Sequence, residues 1–188
     1  SNVFEKSDRG RNMAVIFGDG AGAVVLEATD EKNKGILTTK LHSDGANAEE
    51  LFLEHPGSRR KERFTPDMLE KGELLPYMNG KHVFVNALKY FPEVIREALT
   101  ECNLKDEDIQ LLIPHQANAR ITVAVQKEMN LPDEKVVSNI DRYGNTTAAS
   151  IPIALCEAWE QGRIKEGDLV AMAAFGSGFM WASALIRW

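Results

Sequence analysis

Two glycine turns, far apart in the chain, limit what it can fold into. Residues 15–28 read VIFGDGAGAVVLEA and residues 172–188 read MAAFGSGFMWASALIRW. Each segment is an apolar run, then Phe-Gly-x-Gly, then a second apolar run. Glycine tolerates the positive φ of a tight reversal, so each segment is predicted to be two strands about a turn. One plan repeated suggests two pseudo-equivalent halves. Only the second copy has a series of helices and strands before it; the first stands near Ser1. The expectation is the end of one half followed by the whole of another.

The stretch GILTTKLHSDG extends the first part with a further strand and turn. Residues 45–80, centred on HPGSRRKERFTPD, are polar and read as an irregular excursion, a surface loop or a cap. From Lys81 to Thr100 the apolar residues Phe84, Ala87, Leu88, Phe91, Val94, Ile95, Ala98 and Leu99 recur at helical spacing. Pro92 lies inside that helix, and its missing N–H predicts a kink or a restart. Beyond it, DIQLLIP (108–114) reads as a buried strand and residues 118–129 as a helix. EKVVSNI (134–140) reads as a short strand, and residues 145–162 as a small-residue helix stopped at Gly162. Residues 168–188 close the chain as two strands. This alternation predicts an α/β fold with a mainly parallel sheet. The organisation expected is 1–44 as the final strands of a first half, 45–80 as a connection, and 81–188 as a second half.

Length and charge narrow the functional classes. A chain of 188 residues is enough for one domain with a core, or two small ones. A net charge of −6 argues against broad nucleic-acid binding. The apolar runs are too short to span a bilayer, and the chain does not open on a signal-peptide pattern, so a cytoplasmic protein is expected. Cys102 and Cys156 stand in neither metal nor redox spacing and are expected to be reduced and packed. His42, His55, His82 and His115 show no metal-ligand spacing, so no metal site is expected.

Four stretches are candidates for chemistry. In IPHQANARI (113–121), His115 follows a buried strand, at the end where open α/β sheets collect ligands. The amides after it can orient a ring without ionising. The plain alternative is a structural hydrogen bond in a turn. In RYGNTTAAS (142–150), Asn145 either caps a helix or presents its amide beside His115. A neutral histidine and an asparagine can both donate hydrogen bonds to a developing enolate oxygen. The turn Phe175, Gly176, Ser177 and Gly178 is either simple packing or a source of backbone N–H groups for an oxyanion. Arg120 and Lys127 share a helical face, either as solvated charges or as a basic spot on an acidic protein.

Taken together, in their order and spacing, IFGDGAGAVVLEA, IPHQANARI, RYGNTTAASIPIAL and AFGSGFMWASALIRW closely resemble β-ketoacyl-acyl-carrier-protein synthase III. That family initiates type II fatty-acid synthesis. The resemblance implies a thiolase-like condensing-enzyme fold, here the C-terminal half with the last strands of the N-terminal half. It implies a decarboxylative Claisen condensation of an acyl-CoA primer with malonyl-acyl carrier protein. His115 and Asn145 match the family's catalytic histidine and asparagine, which stabilise the enolate. Asn118, Phe84 and Arg11 (or Arg9, in another register) match positions along the coenzyme A channel. Phe175 to Gly178 match the loop beside the nucleophile, with the oxyanion N–H on Ser177. Arg120 and Lys127 fall on a docking patch for the acidic carrier protein. The implied partners are acyl carrier protein and coenzyme A thioesters, in a homodimer, with no nucleic acid, membrane or cofactor beyond these substrates. The family's nucleophilic cysteine belongs to the first half, and neither Cys102 nor Cys156 matches it. Alone, the chain is therefore expected to be inactive in acyl transfer and to need an N-terminal segment or a partner chain. Two other readings are a thiolase-fold acyltransferase of secondary metabolism and a non-catalytic binding or dimerisation module.

Overall fold

The computed structural model describes residues 11–59 and 61–188. In chain order its elements are α1 (Arg11–Ala14), β1 (Gly35–Ser43), β2 (Leu51–Phe52), α2 (Pro66–Glu70), β3 (Tyr77–Met78), α3 (Gly80–Glu101), β4 (Leu111–Pro114), α4 (Ala119–Glu128), α5 (Ile140–Tyr143), α6 (Ser150–Glu160), β5 (Leu169–Gly176) and β6 (Met180–Arg187). One four-stranded sheet has the order β1-β6-β5-β4. β2 and β3 form a separate two-stranded ribbon.

The sheet corrects the expectation of mainly parallel strands. Only β4 and β5 run parallel; β6 is antiparallel to both β5 and β1. The reason is the connections. A short turn can only return a strand antiparallel, whereas a parallel neighbour needs a long crossover. Residues 177–179 provide the first between β5 and β6, and α4, α5 and α6 provide the second between β4 and β5.

Side chains of β4 alternate between two cores. Leu112 joins Phe91, Ile95, Leu99, Ile121 and Val125 beneath α3 and α4. Leu111 and Ile113 join Ala154, Ala158 and Val170 beneath α6. With helices on both faces, the strand reads as an unbroken apolar run, which is why DIQLLIP was legible.

Helix α3 crosses Pro92 without restarting, as one 22-residue helix. A proline inside a helix costs about 3 kcal/mol. Burying a Val, Leu, Ile or Phe side chain contributes roughly 1.5–3 kcal/mol. Phe91, Val94, Ile95 and Leu99 are each at most 1% exposed, so packing outweighs the proline. Asn79 caps the start, its Oδ1 accepting from the His82 N–H at 3.3 Å.

Four further expectations are corrected. Residues 13–28 form no pair of strands: α1 and a single bridge from Phe17 to Asn145 are their regular structure. Val24, Val25 and Leu26 are 61, 87 and 73% exposed. A strand exists only where a neighbour takes its backbone groups, and no described strand lies beside these residues. EKVVSNI is a 3-10 turn over Asp133–Lys135 followed by one parallel bridge from Val136 to Leu112. Cys156 is exposed, not packed, while Cys102 is partly buried. The 45–80 excursion is more ordered than an irregular loop, because it holds the β2–β3 ribbon and α2, capped by Thr65 with Pro66 in the first turn.

Candidate active site

The site begins where β4 ends. The His115 N–H donates to the Ala173 carbonyl at 2.8 Å, which carries the parallel ladder one residue past the strand. Gln116 points inward and is 1% exposed. Its Nε2 donates to the carbonyls of Pro114 and Val137, at 2.8 and 3.2 Å, and its Oε1 accepts from the Asn139 N–H at 3.0 Å. This amide therefore locks the turn, and its hydrogen bonds go to Pro114, Val137 and Asn139 and not to the His115 ring. The ring is held instead by Ser150, whose Oγ lies 2.6 Å from Nδ1. Burial pushes the His115 pKa down to about 4, so the ring is neutral at neutral pH.

Asn145 is placed by a long-range crossing. Its N–H donates to the Ile16 carbonyl at 2.9 Å, and its carbonyl accepts from the Gly18 N–H at 3.0 Å. Two glycines make the crossing possible. A Cβ on Gly18 would overlap the Tyr143 carbonyl oxygen, and one on Gly144 would lie 2.9 Å from the Ile16 carbonyl oxygen. Gly144 also has a φ of +69°, which a side chain rarely adopts. Asn145 itself is 8% exposed. Its Oδ1 accepts from the Thr147 N–H at 2.9 Å, so the amide does act as a local cap. Its Nδ2 donates to no described residue. Thr147 has a φ of +53°, a costly conformation for a β-branched residue and of a kind that clusters at functional sites.

Behind this loop, Glu157 of α6 gathers its supports. Its carboxylate accepts from Asn139 Nδ2 at 2.8 Å, from Tyr143 Oη at 2.6 Å and from both terminal nitrogens of Arg142 at 2.7 and 2.9 Å. Burial alone would raise its pKa, but the hydrogen bonds from Asn139, Tyr143 and Arg142 outweigh it and hold the carboxyl below its usual range. The clamp ties α5 to α6 and so brackets Asn145 from both sides.

His115 and Asn145 line one cavity of about 670 Å³, together with Phe84, Asn118, Phe175, Gly176 and Ser177. Its remaining wall is mostly apolar, with Leu51, Met78, Val83 and Trp181. Phe175 is 5% exposed, with its ring centroid 4.9 Å from Phe179 and 6.1 Å from Tyr90. Ser177 Oγ donates to the Leu51 carbonyl at 2.5 Å, which pins the glycine turn to the β2–β3 ribbon. Asn118 caps α4, its Oδ1 accepting from the Arg120 N–H at 2.9 Å.

The other sequence-predicted residues stand apart. Gly178 lies in the hairpin turn but does not line the cavity. Arg11 is exposed on α1 and does not reach the cavity; Arg9 lies outside the described residues. Arg120 and Lys127 share the expected face of α4, flanking a shallow groove of about 330 Å³ with Val123 and Ala124. Neither Cys102 nor Cys156 lines the cavity. Among the described residues, no three His, Cys, Asp or Glu side chains are grouped to hold a metal ion. No described helix is long and apolar enough to cross a membrane. Sequence reasoning missed Ser150 and Glu157. The signal for Ser150 was present as a buried-side hydroxyl opening a helix of small residues.

A sheet sheathed by helices, with a histidine at a strand's carboxyl end and an asparagine lining the same cavity, is a thiolase-like α/β arrangement. The model of 3-oxoacyl-(acyl-carrier-protein) synthase III, C terminal, matches residues 99–188, and that of 3-oxoacyl-(acyl-carrier-protein) synthase III matches residues 1–45. The chain belongs to the 3-oxoacyl-(acyl-carrier-protein) synthase III family. It is 46% identical over 178 residues to the β-ketoacyl-(acyl-carrier-protein) synthase III of a Roseiflexus species, covering 95% of this chain and 53% of that protein. The crystal structure of the Aquifex aeolicus synthase superposes with a TM-score of 0.86 at 39% identity, over 100% of this chain and 55% of that one. The Pseudomonas aeruginosa synthase gives a TM-score of 0.85 at 37% identity, over 100% and 54%. The chain thus spans about half the length of the curated relatives it matches.

Proposed function

We propose that this chain supplies the decarboxylation half-site of a 3-oxoacyl-(acyl-carrier-protein) synthase III. The observation that supports this most is a pair of uncommitted donors on one cavity. His115 Nε2 and Asn145 Nδ2 have no described hydrogen-bond partner, and the ring beside them is neutral. When a malonyl thioester loses carbon dioxide, the electrons of the breaking C–C bond pass into the thioester, and negative charge develops on its carbonyl oxygen. Two neutral donors fixed in a mostly apolar pocket stabilise that oxygen without reorganising. The enolate carbon then attacks an acyl thioester held on a cysteine, and the thiolate leaves.

That cysteine is proposed to come from the segment by which the relatives exceed this chain, since Cys102 and Cys156 lie off the cavity. Alone, this chain is then inactive in acyl transfer. The apolar wall with Phe84 and Asn118 suits the pantetheine arm of coenzyme A or of acyl carrier protein, with Arg11 beyond it. Arg120 and Lys127 suit the acidic surface of the carrier protein. The remaining elements of the proposal are an acyl-CoA primer, Phe175 to Gly178 beside the nucleophile, no further cofactor, and a cytoplasmic homodimer.

The test uses the complete synthase that contains this chain. His115→Ala and Asn145→Ala should each lower release of carbon dioxide from malonyl-acyl carrier protein by about 10²–10³-fold. Acylation of the cysteine by acyl-CoA, read by intact mass, should continue in both. Unchanged condensation in both variants would refute the assignment.

A further inference from the structure

The Oγ of Ser150 opens helix α6, and the residue is 2% exposed. It lies 2.6 Å from His115 Nδ1 and 3.3 Å from the Gln116 backbone nitrogen. A hydroxyl has one proton to give and two lone pairs. The Gln116 N–H can only donate, so it occupies a lone pair. The hydroxyl proton then needs an acceptor, and among the described residues His115 Nδ1 is the one within reach. Had Nδ1 carried the proton, the Ser150 hydroxyl would be a buried donor without a partner, which is costly. From this we infer that Ser150 is a positioning residue, whose O–H donates to Nδ1 and fixes neutral His115 as the Nε2–H tautomer.

The consequence follows from the ring geometry. With Nδ1 occupied as an acceptor at the back, the proton sits on Nε2, the nitrogen left for the cavity. The same imidazole in the other tautomer would present a lone pair to a developing oxyanion and repel it. The functional half of the inference rests on the proposed decarboxylation; the tautomer itself does not.

Two measurements separate them. In the complete synthase that contains this chain, labelled with ¹⁵N at histidine, long-range ¹⁵N–¹H spectra at pH 7 should show His115 with a protonated Nε2 and an unprotonated Nδ1, assigned by loss of the signals in His115→Gln. A protonated Nδ1 would overturn the inference without any variant. Ser150→Ala should move both ring nitrogens toward averaged shifts, and Ser150→Thr, which keeps the hydroxyl, should restore them. Unmoved shifts in Ser150→Ala would also overturn it. In the complete synthase, Ser150→Ala should lower kcat for malonyl decarboxylation about tenfold with KM unchanged, as expected for about one hydrogen bond. Ser150→Thr should recover it. A single tautomer in a protein that releases no carbon dioxide would sink the proposed function and leave the inference standing.

Discussion

Replacing His115 by glutamine should flatten the acid side of the protein's stability profile. The folded ring has a pKa of about 4, lowered by burial from 6.5. In the unfolded chain the ring takes up a proton near pH 6.5, whereas the folded protein resists it until about pH 4. Stability is therefore fully present above pH 6.5 and is lost as pH falls toward 4, because the unfolded state binds the proton first. At pH 4.5 the unfolded ring is almost wholly protonated and the folded ring only about a quarter so, a difference of about 2.5 kcal/mol relative to pH 7.5. Glu101 and Glu157, whose pKa values are lowered, also lose stability in acid, but they are common to both proteins and cancel in the comparison. The assay is urea unfolding of the parent and His115→Gln at pH 7.5 and 4.5, read as a two-state transition. The parent should lose about 2.5 kcal/mol more than the variant between the two. Losses equal to within about 0.5 kcal/mol would mean that the ring titrates as freely in the fold as in the open chain.

Gly144→Ala should lower the melting temperature, by at least about 1 kcal/mol of stability, because the new Cβ meets the Ile16 carbonyl oxygen at 2.9 Å and the backbone has a φ of +69°. Glu157→Gln should cost about 1–3 kcal/mol at pH 7 through its loosened bonds to Arg142, Tyr143 and Asn139. Because the Glu157 carboxyl titrates low, that cost should shrink as pH falls through its folded value, which acid-series unfolding would show. Cys156 should react with a thiol reagent in the native chain well before Cys102, with mass spectrometry of the modified peptides deciding the order.

Local patterns were read correctly where local forces decide. The α3 periodicity, the β5–β6 hairpin and the position of His115 after a buried strand follow from residues close in sequence. The misreadings have a different cause. Residues 13–28 have a strand's composition, but a strand is completed by its neighbour, and no described strand borders them. Cys156 looked apolar by company, yet it lies two residues from Ala154 and Ala158, nearly opposite the buried face they define. Beyond the hydroxyl itself, Ser150 has no local signal for its role, since its partner His115 is 35 positions away. Asn145 was seen, but as either a cap or a functional amide; its oxygen caps while its nitrogen is left over, so the two readings were never exclusive.

The crossing of residues 16–18 over 143–145 makes Asn145 a shared possession of two distant stretches of chain. Its geometry exists only after a long loop has closed, so its amide should be among the later features to settle during folding. It also offers an engineering handle. If the chain were divided within the 45–80 connection, the two pieces would have to re-associate before the asparagine was set. Protection of the Asn145 and Gly18 amides from hydrogen exchange would then report their association, turning a structural dependence into a switch.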